Sequence, residues 1–294
     1  MKKTVFTGAG VAIVTPMFAD GSVNFAVLGK LIEHQIANGT DAIIACGTTG
    51  EASAMNDEEH LSVIEYTVKA TRGRVPVVAG TGSNDTRHAC NLSKEAAALG
   101  ADALLQVTPY YNKTNQSGLV RHFTAIADVV DIPIILYNVP SRTGMTIQPE
   151  TYLELSKHTN IVATKEASGN ISAIAKTAQL CGDSLAIYSG NDDQIVPLMA
   201  LGAKGVISVL SNILPRETHD ICALYLNGKV QESLALQLKV LPLVDAIFSD
   251  VNPIPVKAAM QMMGLSVGEC RMPLGIMSEH AAQKLQSTLT AYGL

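Results

Sequence analysis

The sequence predicts an α/β protein, a TIM (β/α)8 barrel with an appended C-terminal helical subdomain. Short apolar runs of strand character alternate with longer amphipathic runs, which indicates a parallel sheet joined by crossover helices. Eight strand-like runs can be counted, and eight parallel strands close a barrel. The length of 294 residues accommodates one barrel of about 250 residues and a short extension.

The predicted strands are spread over the first 210 residues. They are centred on Val11–Thr15, Ala42–Cys46, Val75–Ala79, Ala103–Val107, Ile132–Tyr137, Ile161–Thr164, Leu185–Tyr188 and Gly205–Val209. At Gly39, Gly100 and Gly202 a glycine that stops a helix leads directly into the next strand, so the sequence weakly repeats one helix-stop-strand unit.

The connecting helices have recognisable ends. Asn24 is the predicted N-cap of the first helix, which has an apolar face, and Gly39 is the predicted end of that helix. Asp57 is expected to open the second helix and Asn84 or Asp85 the third.

Beyond Val209 the strands stop and four helices are predicted. They span 215–226, 230–248, 255–263 and 278–292. We therefore divide the chain into a catalytic barrel of residues 1–228 and a helical subdomain of residues 229–294, which is expected to serve assembly more than chemistry.

Composition excludes several classes of protein. The formal net charge of −5, without a basic block, argues against nucleic acid, and no apolar run approaches the roughly 20 residues of a membrane span. No apolar h-region follows the N-terminal lysines, and the five cysteines lack Cys-x-x-Cys spacing, so a cytoplasmic location is expected. With 47% apolar and 16% charged residues, a homo-oligomer is the default expectation.

The strand-like run Ile161-Val-Ala-Thr carries Lys165 at its C-terminal end, and the chain turns away at Ser168-Gly169. Burial there would disfavour the charged ammonium and lower the pKa of Lys165 towards the range in which a neutral amine attacks a carbonyl. The alternative is a strand-end lysine whose stem lies along apolar surface and whose ammonium reaches solvent.

Active sites of TIM barrels lie at the C-terminal ends of the strands, and polar residues gather at those ends here. The turn Gly47-Thr-Thr-Gly50 offers hydroxyls and backbone N–H groups to a carboxylate or phosphate, or it is an ordinary βα turn. A phosphate site of a TIM barrel usually lies in the loops after the seventh and eighth strands. Here the first of these loops is acidic and the second is apolar, which disfavours a phosphorylated substrate.

Other strand ends add hydroxyls and one cation. For any one of Tyr110, Tyr111 and Tyr137 a packing role is the better interpretation. Two tyrosines and a threonine near the lysine could, however, pass protons between substrate and solvent. Arg142 is placed to clamp a carboxylate unless it is a surface arginine. The histidines show no metal-ligand spacing, and no dinucleotide or Walker motif is present. The residues thus predict an enzyme without metal or cofactor that forms a lysine imine with a small carboxylated carbonyl compound.

Five motifs carry a resemblance that extends over essentially the whole chain. The sequence resembles the dihydrodipicolinate synthase family, within the class I pyruvate aldolase superfamily that includes N-acetylneuraminate lyase. The motifs are Gly47-Thr-Thr-Gly-Glu51, Tyr110-Tyr111, Tyr137-Asn-Val-Pro-Ser-Arg-Thr-Gly144, Lys165-Glu-Ala-Ser-Gly169 and Asn252-Pro-Ile-Pro-Val-Lys257.

The resemblance implies a condensation of pyruvate with L-aspartate 4-semialdehyde in lysine biosynthesis. Lys165 would form the imine, and Tyr137 would transfer protons through Thr48 to Tyr111. The family's counterpart of Tyr111 enters the neighbouring chain's site, in a tetramer built as a dimer of dimers. Thr49, Ile207 and Gly190 would contact pyruvate, and Arg142 would bind the carboxylate of the aldehyde substrate.

The resemblance also implies a regulatory pocket. In lysine-inhibited members it is lined by the positions of Ala52, Ser53, Asp57, His60, Asn84, His88 and Tyr110. Here Asp57 stands where a histidine is common, and His88 stands where a glutamate binds the lysine ammonium. Loss of that charge partner removes about 1.5 to 3 kcal/mol of binding, so a vestigial pocket and little inhibition by lysine are expected.

The residues leave two alternative functions open. One is an aldolase or lyase for a longer 2-keto sugar acid such as N-acetylneuraminate, which would keep Lys165 and Tyr137. Ser141-Arg142 and Thr48 favour the synthase, since sialic acid lyases usually lack that arginine and carry serine in place of Thr48. The other is a barrel that has lost catalysis and acts as a binding module.

Overall fold

The computed structural model describes residue 2 and residues 4–294, and it contains a closed barrel of eight parallel strands in sequential order. The predicted fold class is confirmed. The strands are β1 (Gly8–Ala12), β2 (Ala42–Ala45), β3 (Val77–Gly80), β4 (Ala103–Val107), β5 (Ile134–Asn138), β6 (Ile161–Glu166), β7 (Ala186–Ser189) and β8 (Gly205–Ser208).

The first strand begins three residues earlier than predicted. Its glycines Gly8 and Gly10 do not suggest a strand, but both lie where a side chain would not fit. A Cβ atom on Gly10 would lie 2.7 Å from Ile44 Cδ1 and 2.9 Å from Phe6 Cζ. Close packing inside the barrel therefore overrides the low strand propensity of glycine.

Helices alternate with the strands and then complete the chain. They are α1 (Phe25–Ala37), α2 (Asp57–Thr71), α3 (Thr86–Ala98), α4 (Gln116–Ala127), α5 (Pro140–Thr143), α6 (Pro149–Leu155), α7 (Ile171–Cys181), α8 (Ile195–Ala200), α9 (Pro215–Leu226), α10 (Val230–Ile247), α11 (Ile254–Met262) and α12 (Glu279–Tyr292). The predicted N-cap at Asn24 is confirmed, since its side chain accepts a hydrogen bond from Val27 N. Of the two candidates for α3, Asp85 is the cap.

The apolar core has two main parts. One fills the barrel interior, where Phe6 and Tyr188 stack with ring centroids 4.3 Å apart. The other lies between the strands and the surrounding helices. Together they hold the strands rigidly, so that residues at the strand ends have fixed positions.

The C-terminal helices pack on one another and on the barrel. Helix α10 contacts α8, α9 and α12, and α11 contacts α12. Within the described part of the chain, no helix is both long and apolar enough to span a membrane. All five cysteines are free thiols.

Candidate active site

Lys165 lies one residue before the C-terminal end of β6, and its side chain is buried. The residue is 5% exposed, and Nζ lies 4.3 Å from the centroid of the Tyr137 ring. Stacking of a cation on an aromatic face stabilises it in this position. The alternative of a lysine that extends into solvent therefore does not describe Lys165.

A register shift places Lys165 beside Tyr137. Ile134 on β5 pairs with Ile161, but the next residue, Ile135, pairs with Ala163. The irregularity brings Tyr137 opposite Lys165, whereas an unbroken register would pair it with Thr164. Because side chains alternate between the two faces of a strand, this one-residue slip decides which residue of β6 accompanies Tyr137.

The neighbouring β6 residue, Glu166, hydrogen-bonds to side chains beyond β6. Its carboxylate accepts hydrogen bonds from Tyr152 Oη at 2.5 Å, Asn138 Nδ2 at 3.0 Å and Ser168 Oγ at 2.8 Å. Burial raises the pKa of Glu166, and these donors oppose that rise. This network fixes the end of β6 and so the backbone that carries Lys165.

Gly190 leaves room for the lysine side chain. A Cβ atom at this position would lie 2.8 Å from Ala167 Cβ and 3.1 Å from Lys165 Cγ.

Two residues further on, the buried Asp192 accepts hydrogen bonds from the backbone N–H groups of Val209 at 3.0 Å and Leu210 at 2.9 Å. Burial raises the pKa of Asp192, while the positive charge of Lys165 is among the influences that lower it. Asp192 therefore lies within electrostatic range of the lysine.

The turn Gly47–Gly50 after β2 has unused donors. The backbone N–H groups of Thr48 and Thr49 have no acceptor among the described residues. Thr49 is 3% exposed, and its Oγ1 accepts a hydrogen bond from Asn252 Nδ2 at 2.9 Å. Adjacent free N–H groups and a hydroxyl form a site suited to a carboxylate.

A buried ion pair anchors the end of this turn. Glu51 has a left-handed φ of 58°, and its Oε1 accepts from Lys257 Nζ at 2.8 Å. Lys257 also donates to the backbone oxygens of Glu269 at 2.7 Å and Thr15 at 3.3 Å. Helix α11 of the C-terminal subdomain thus holds the turn that presents Thr48 and Thr49. The C-terminal helices were expected to serve mainly assembly, whereas this contact also links them to the candidate site.

Among the described residues, the hydroxyl groups expected to transfer protons are not hydrogen-bonded to one another. Tyr137 is 7% exposed, and no hydrogen bond joins its hydroxyl to Thr48 or Tyr111 in the described part of the chain. Tyr111 is 94% exposed and has a left-handed φ of 68°. A non-glycine residue in that conformation is unfavourable unless surrounding structure or a ligand compensates, as at functional sites.

Two further predicted substrate contacts lie on α5 and β8. Arg142, on α5 after β5, is exposed, and its Nη2 donates to the backbone oxygen of Asn252 at 2.9 Å. Ile207 on β8 is fully buried in the barrel interior beside Tyr137 and Tyr188 in the same apolar cluster.

A cavity of about 480 Å³ extends from this site towards α2 and α3. Its lining includes Thr48, Tyr137 and Arg142, and it also includes six of the seven residues predicted for the regulatory pocket, namely Ala52, Ser53, Asp57, His60, His88 and Tyr110. Asn84, the seventh, accepts a hydrogen bond from Asn112 Nδ2 through its backbone oxygen at 2.9 Å.

Two histidines of this cavity have defined partners. His88 Nε2 lies 2.9 Å from Asp57 Oδ1, and His88 Nδ1 lies 3.2 Å from Ser83 Oγ. His60 Nε2 donates to the Gly80 carbonyl at 2.7 Å, and burial lowers the pKa of His60. Because its pKa is lowered, His60 is neutral at pH 7. The carboxylate of Asp57 already has His88 as its partner.

Sequence reasoning missed Asn252, Lys257 and Asp192 as parts of the site. Asn252 and Lys257 stand in a motif that carries the family resemblance, but nothing local indicates that they contact a turn 200 residues earlier. Asp192 is one of two consecutive aspartates after β7, and only the structure shows that it is the buried one.

A buried lysine at the C-terminal end of a barrel strand, beside a tyrosine and a carboxylate-binding turn, is the arrangement of a TIM-barrel enzyme that uses a lysine imine. Comparison with known proteins defines the family within this class. A sequence model of the Dihydrodipicolinate synthetase family matches residues 5–292. The chain therefore belongs to the dihydrodipicolinate synthetase family.

Relatives agree over the full length. The 4-hydroxy-tetrahydrodipicolinate synthase of Acetivibrio thermocellus is 56% identical over 294 residues, which is 100% of both chains. The dihydrodipicolinate synthase of Acinetobacter baumannii, solved in complex with pyruvate, is 43% identical with a TM-score of 0.96 over 99% of both chains. A structure of DHDPS from Cyanidioschyzon merolae with lysine bound is 38% identical with a TM-score of 0.96, again over 99% of both chains. The chain is thus an enzyme, and these relatives favour the synthase over the sugar acid lyase.

Proposed function

We propose that this enzyme condenses pyruvate with L-aspartate 4-semialdehyde through an imine on Lys165. The observation that carries the proposal is the burial of Lys165 at the end of β6 against the Tyr137 ring. The pyruvate complex of the Acinetobacter baumannii relative supports the choice of keto acid.

The reaction begins when Lys165 Nζ attacks the keto carbon of pyruvate and water leaves. Loss of a methyl proton converts the imine to an enamine, whose methylene carbon attacks the aldehyde. The amino group of the product then attacks the imine carbon, closes the ring and releases Lys165. Tyr137 is suited to carry the protons, because a neutral hydroxyl can donate and accept without adding a charge beside the lysine.

The other proposed roles follow the positions of the side chains. Thr49 and the free N–H groups of the turn bind the pyruvate carboxylate, and Ile207 and Gly190 shape the space around it. Arg142 binds the carboxylate of the aldehyde substrate, since a guanidinium matches a carboxylate bidentately. Thr48 and Tyr111 extend the proton path from Tyr137.

Borohydride reduction tests the proposal directly. Treatment with pyruvate should add the reduced keto acid to the peptide that contains Lys165, and treatment without pyruvate should leave that peptide unmodified. Lys165→Arg keeps a cation but cannot form an imine at neutral pH, so it should abolish both labelling and turnover. Labelling of another lysine, or none, would contradict the proposal.

We also propose that lysine inhibits this enzyme weakly or not at all. Position 88, an imidazole here, offers no carboxylate to an ammonium, and the carboxylate of Asp57 is hydrogen-bonded to it at 2.9 Å. Lysine titrated against the steady-state rate should have little effect up to millimolar concentration. Strong inhibition below 1 mM would show that the pocket binds lysine despite these exchanges.

Finally, we propose a cytoplasmic homotetramer, built as a dimer of dimers. Several large apolar side chains are at least half exposed in the single chain, and association would cover them. They include Tyr111, Met272, Ile276, Leu238, Phe18 and Val251.

A further inference from the structure

Asn252 connects the turn after β2 with α5, although it lies outside the barrel. It precedes α11 and is 6% exposed. Its Nδ2 donates to Thr49 Oγ1 at 2.9 Å, and its backbone oxygen accepts from Arg142 Nη2 at 2.9 Å. One residue of the C-terminal subdomain therefore contacts both proposed carboxylate-binding side chains.

The hydrogen bond to Thr49 has a direction with a chemical consequence. An amide NH₂ group can only donate, so the Thr49 oxygen must accept. The hydroxyl hydrogen then has to point elsewhere, and it has no acceptor among the described residues. It lies on the same turn as the free N–H groups of Thr48 and Thr49, so all three donors are available to one ligand carboxylate.

The oxygen of the Asn252 amide has a different environment from the nitrogen. Its Oδ1 is buried and has no hydrogen-bond partner in the part of the chain that the structure describes. A buried acceptor without a partner is unfavourable for stability, so stabilisation alone does not account for the residue. A role in setting the hydrogen-bond direction of Thr49 would account for it.

We propose that Asn252 is a positioning residue, which turns the Thr49 hydroxyl into a donor for the carboxylate of the keto acid. This inference rests on the proposed function. Asn252 does not touch the reacting carbon, so its loss should weaken keto acid binding and leave the later steps largely intact.

Asn252→Asp is the sharpest test. A carboxylate of the same shape cannot donate, so Thr49 would donate to it instead of to the substrate, and the added negative charge would repel pyruvate. The pyruvate concentration for half-maximal borohydride trapping should rise about tenfold or more, with a smaller change in the KM of the aldehyde. Asn227→Asp, an exposed residue after α9, adds the same charge elsewhere and should change neither value.

A double-mutant cycle then shows whether Asn252 acts through Thr49. Asn252→Leu and Thr49→Val should each weaken trapping by pyruvate, and the double variant should be little weaker than Thr49→Val alone. Equal effects of Asn252→Leu in both backgrounds would overturn the inference. Thermal melting of each variant separates misfolding from weakened binding.

The outcomes also separate this inference from the proposed function. If wild-type protein is not trapped at Lys165 by pyruvate, the proposed function fails whatever Asn252 does. If wild type is trapped and Asn252→Asp needs no more pyruvate, only the positioning role fails, because the amide is then oriented with its oxygen towards Thr49.

Discussion

Single residues of this chain have environments that set their chemistry. Lys165 is buried against an aromatic ring, and the surroundings of Gly190 leave no room for a side chain. Thr49 accepts a hydrogen bond from Asn252, so its own hydroxyl hydrogen points elsewhere. Each residue type is readable in the sequence, whereas the partner that gives it a role comes from another loop or strand.

His122 provides a residue-scale prediction about pH. It lies on α4, its Nδ1 is 2.9 Å from Thr86 Oγ1, and burial lowers its pKa from 6.5 to about 4. The unfolded chain therefore binds this proton more readily than the folded one, and stability present above pH 6.5 is lost as the pH falls towards 4. The shift in the pKa of His122 corresponds to a loss of about 3 kcal/mol in the free energy of unfolding.

The measurement is the free energy of unfolding between pH 7 and pH 4. His122→Gln, which cannot titrate, should lose about 3 kcal/mol less over this range than wild type. His280→Gln, at an exposed position of α12, is the matched control and should follow wild type. Parallel curves for wild type and His122→Gln would show that His122 is not responsible.

At the scale of elements, α11 and the turn after β2 act as one unit. Asn252 and Lys257 bracket the first turn of α11 and contact Thr49 and Glu51 respectively. The boundary at residues 228/229 stays a proposal, and these contacts show that the two predicted units meet at the site.

Breaking the buried pair should be costly. Lys257→Met leaves the Glu51 carboxylate buried without its partner, which should destabilise the fold by about 3–5 kcal/mol. Adding Glu51→Gln should recover part of that loss, because the unpaired charge is removed. Lys157→Met, which breaks an exposed pair with Glu154, should cost less than about 1 kcal/mol. A similar loss for both lysines in chemical denaturation would contradict the prediction.

At the scale of the whole molecule, the single chain leaves Tyr111 unsupported. Its ring is 94% exposed and its backbone is left-handed, while Tyr137 lacks a hydroxyl partner within the described chain. A second copy that receives Tyr111 would resolve both features, which agrees with the proposed assembly.

Mixing two inactive variants tests this arrangement. Lys165→Ala lacks the amine and Tyr111→Phe lacks the hydroxyl, so each homo-oligomer should be nearly inactive. If Tyr111 acts in the partner's site, a mixed dimer contains one intact site, and an equal mixture that is unfolded and refolded should recover about a quarter of wild-type activity. No recovery, with mixed oligomers verified by mass, would mean that Tyr111 acts within its own chain.

The sequence by itself determined the eight strand and helix units, the cap at Asn24, and the lysine at a strand end, because periodicity, capping and turn residues are local signals. Only the tertiary structure decided that Lys165 lies opposite Tyr137, since one irregular pairing between β5 and β6 sets that register. It also decided that Asn252 contacts Thr49 across 203 residues. Such contacts depend on how the closed barrel brings distant segments together, and no local pattern encodes that geometry.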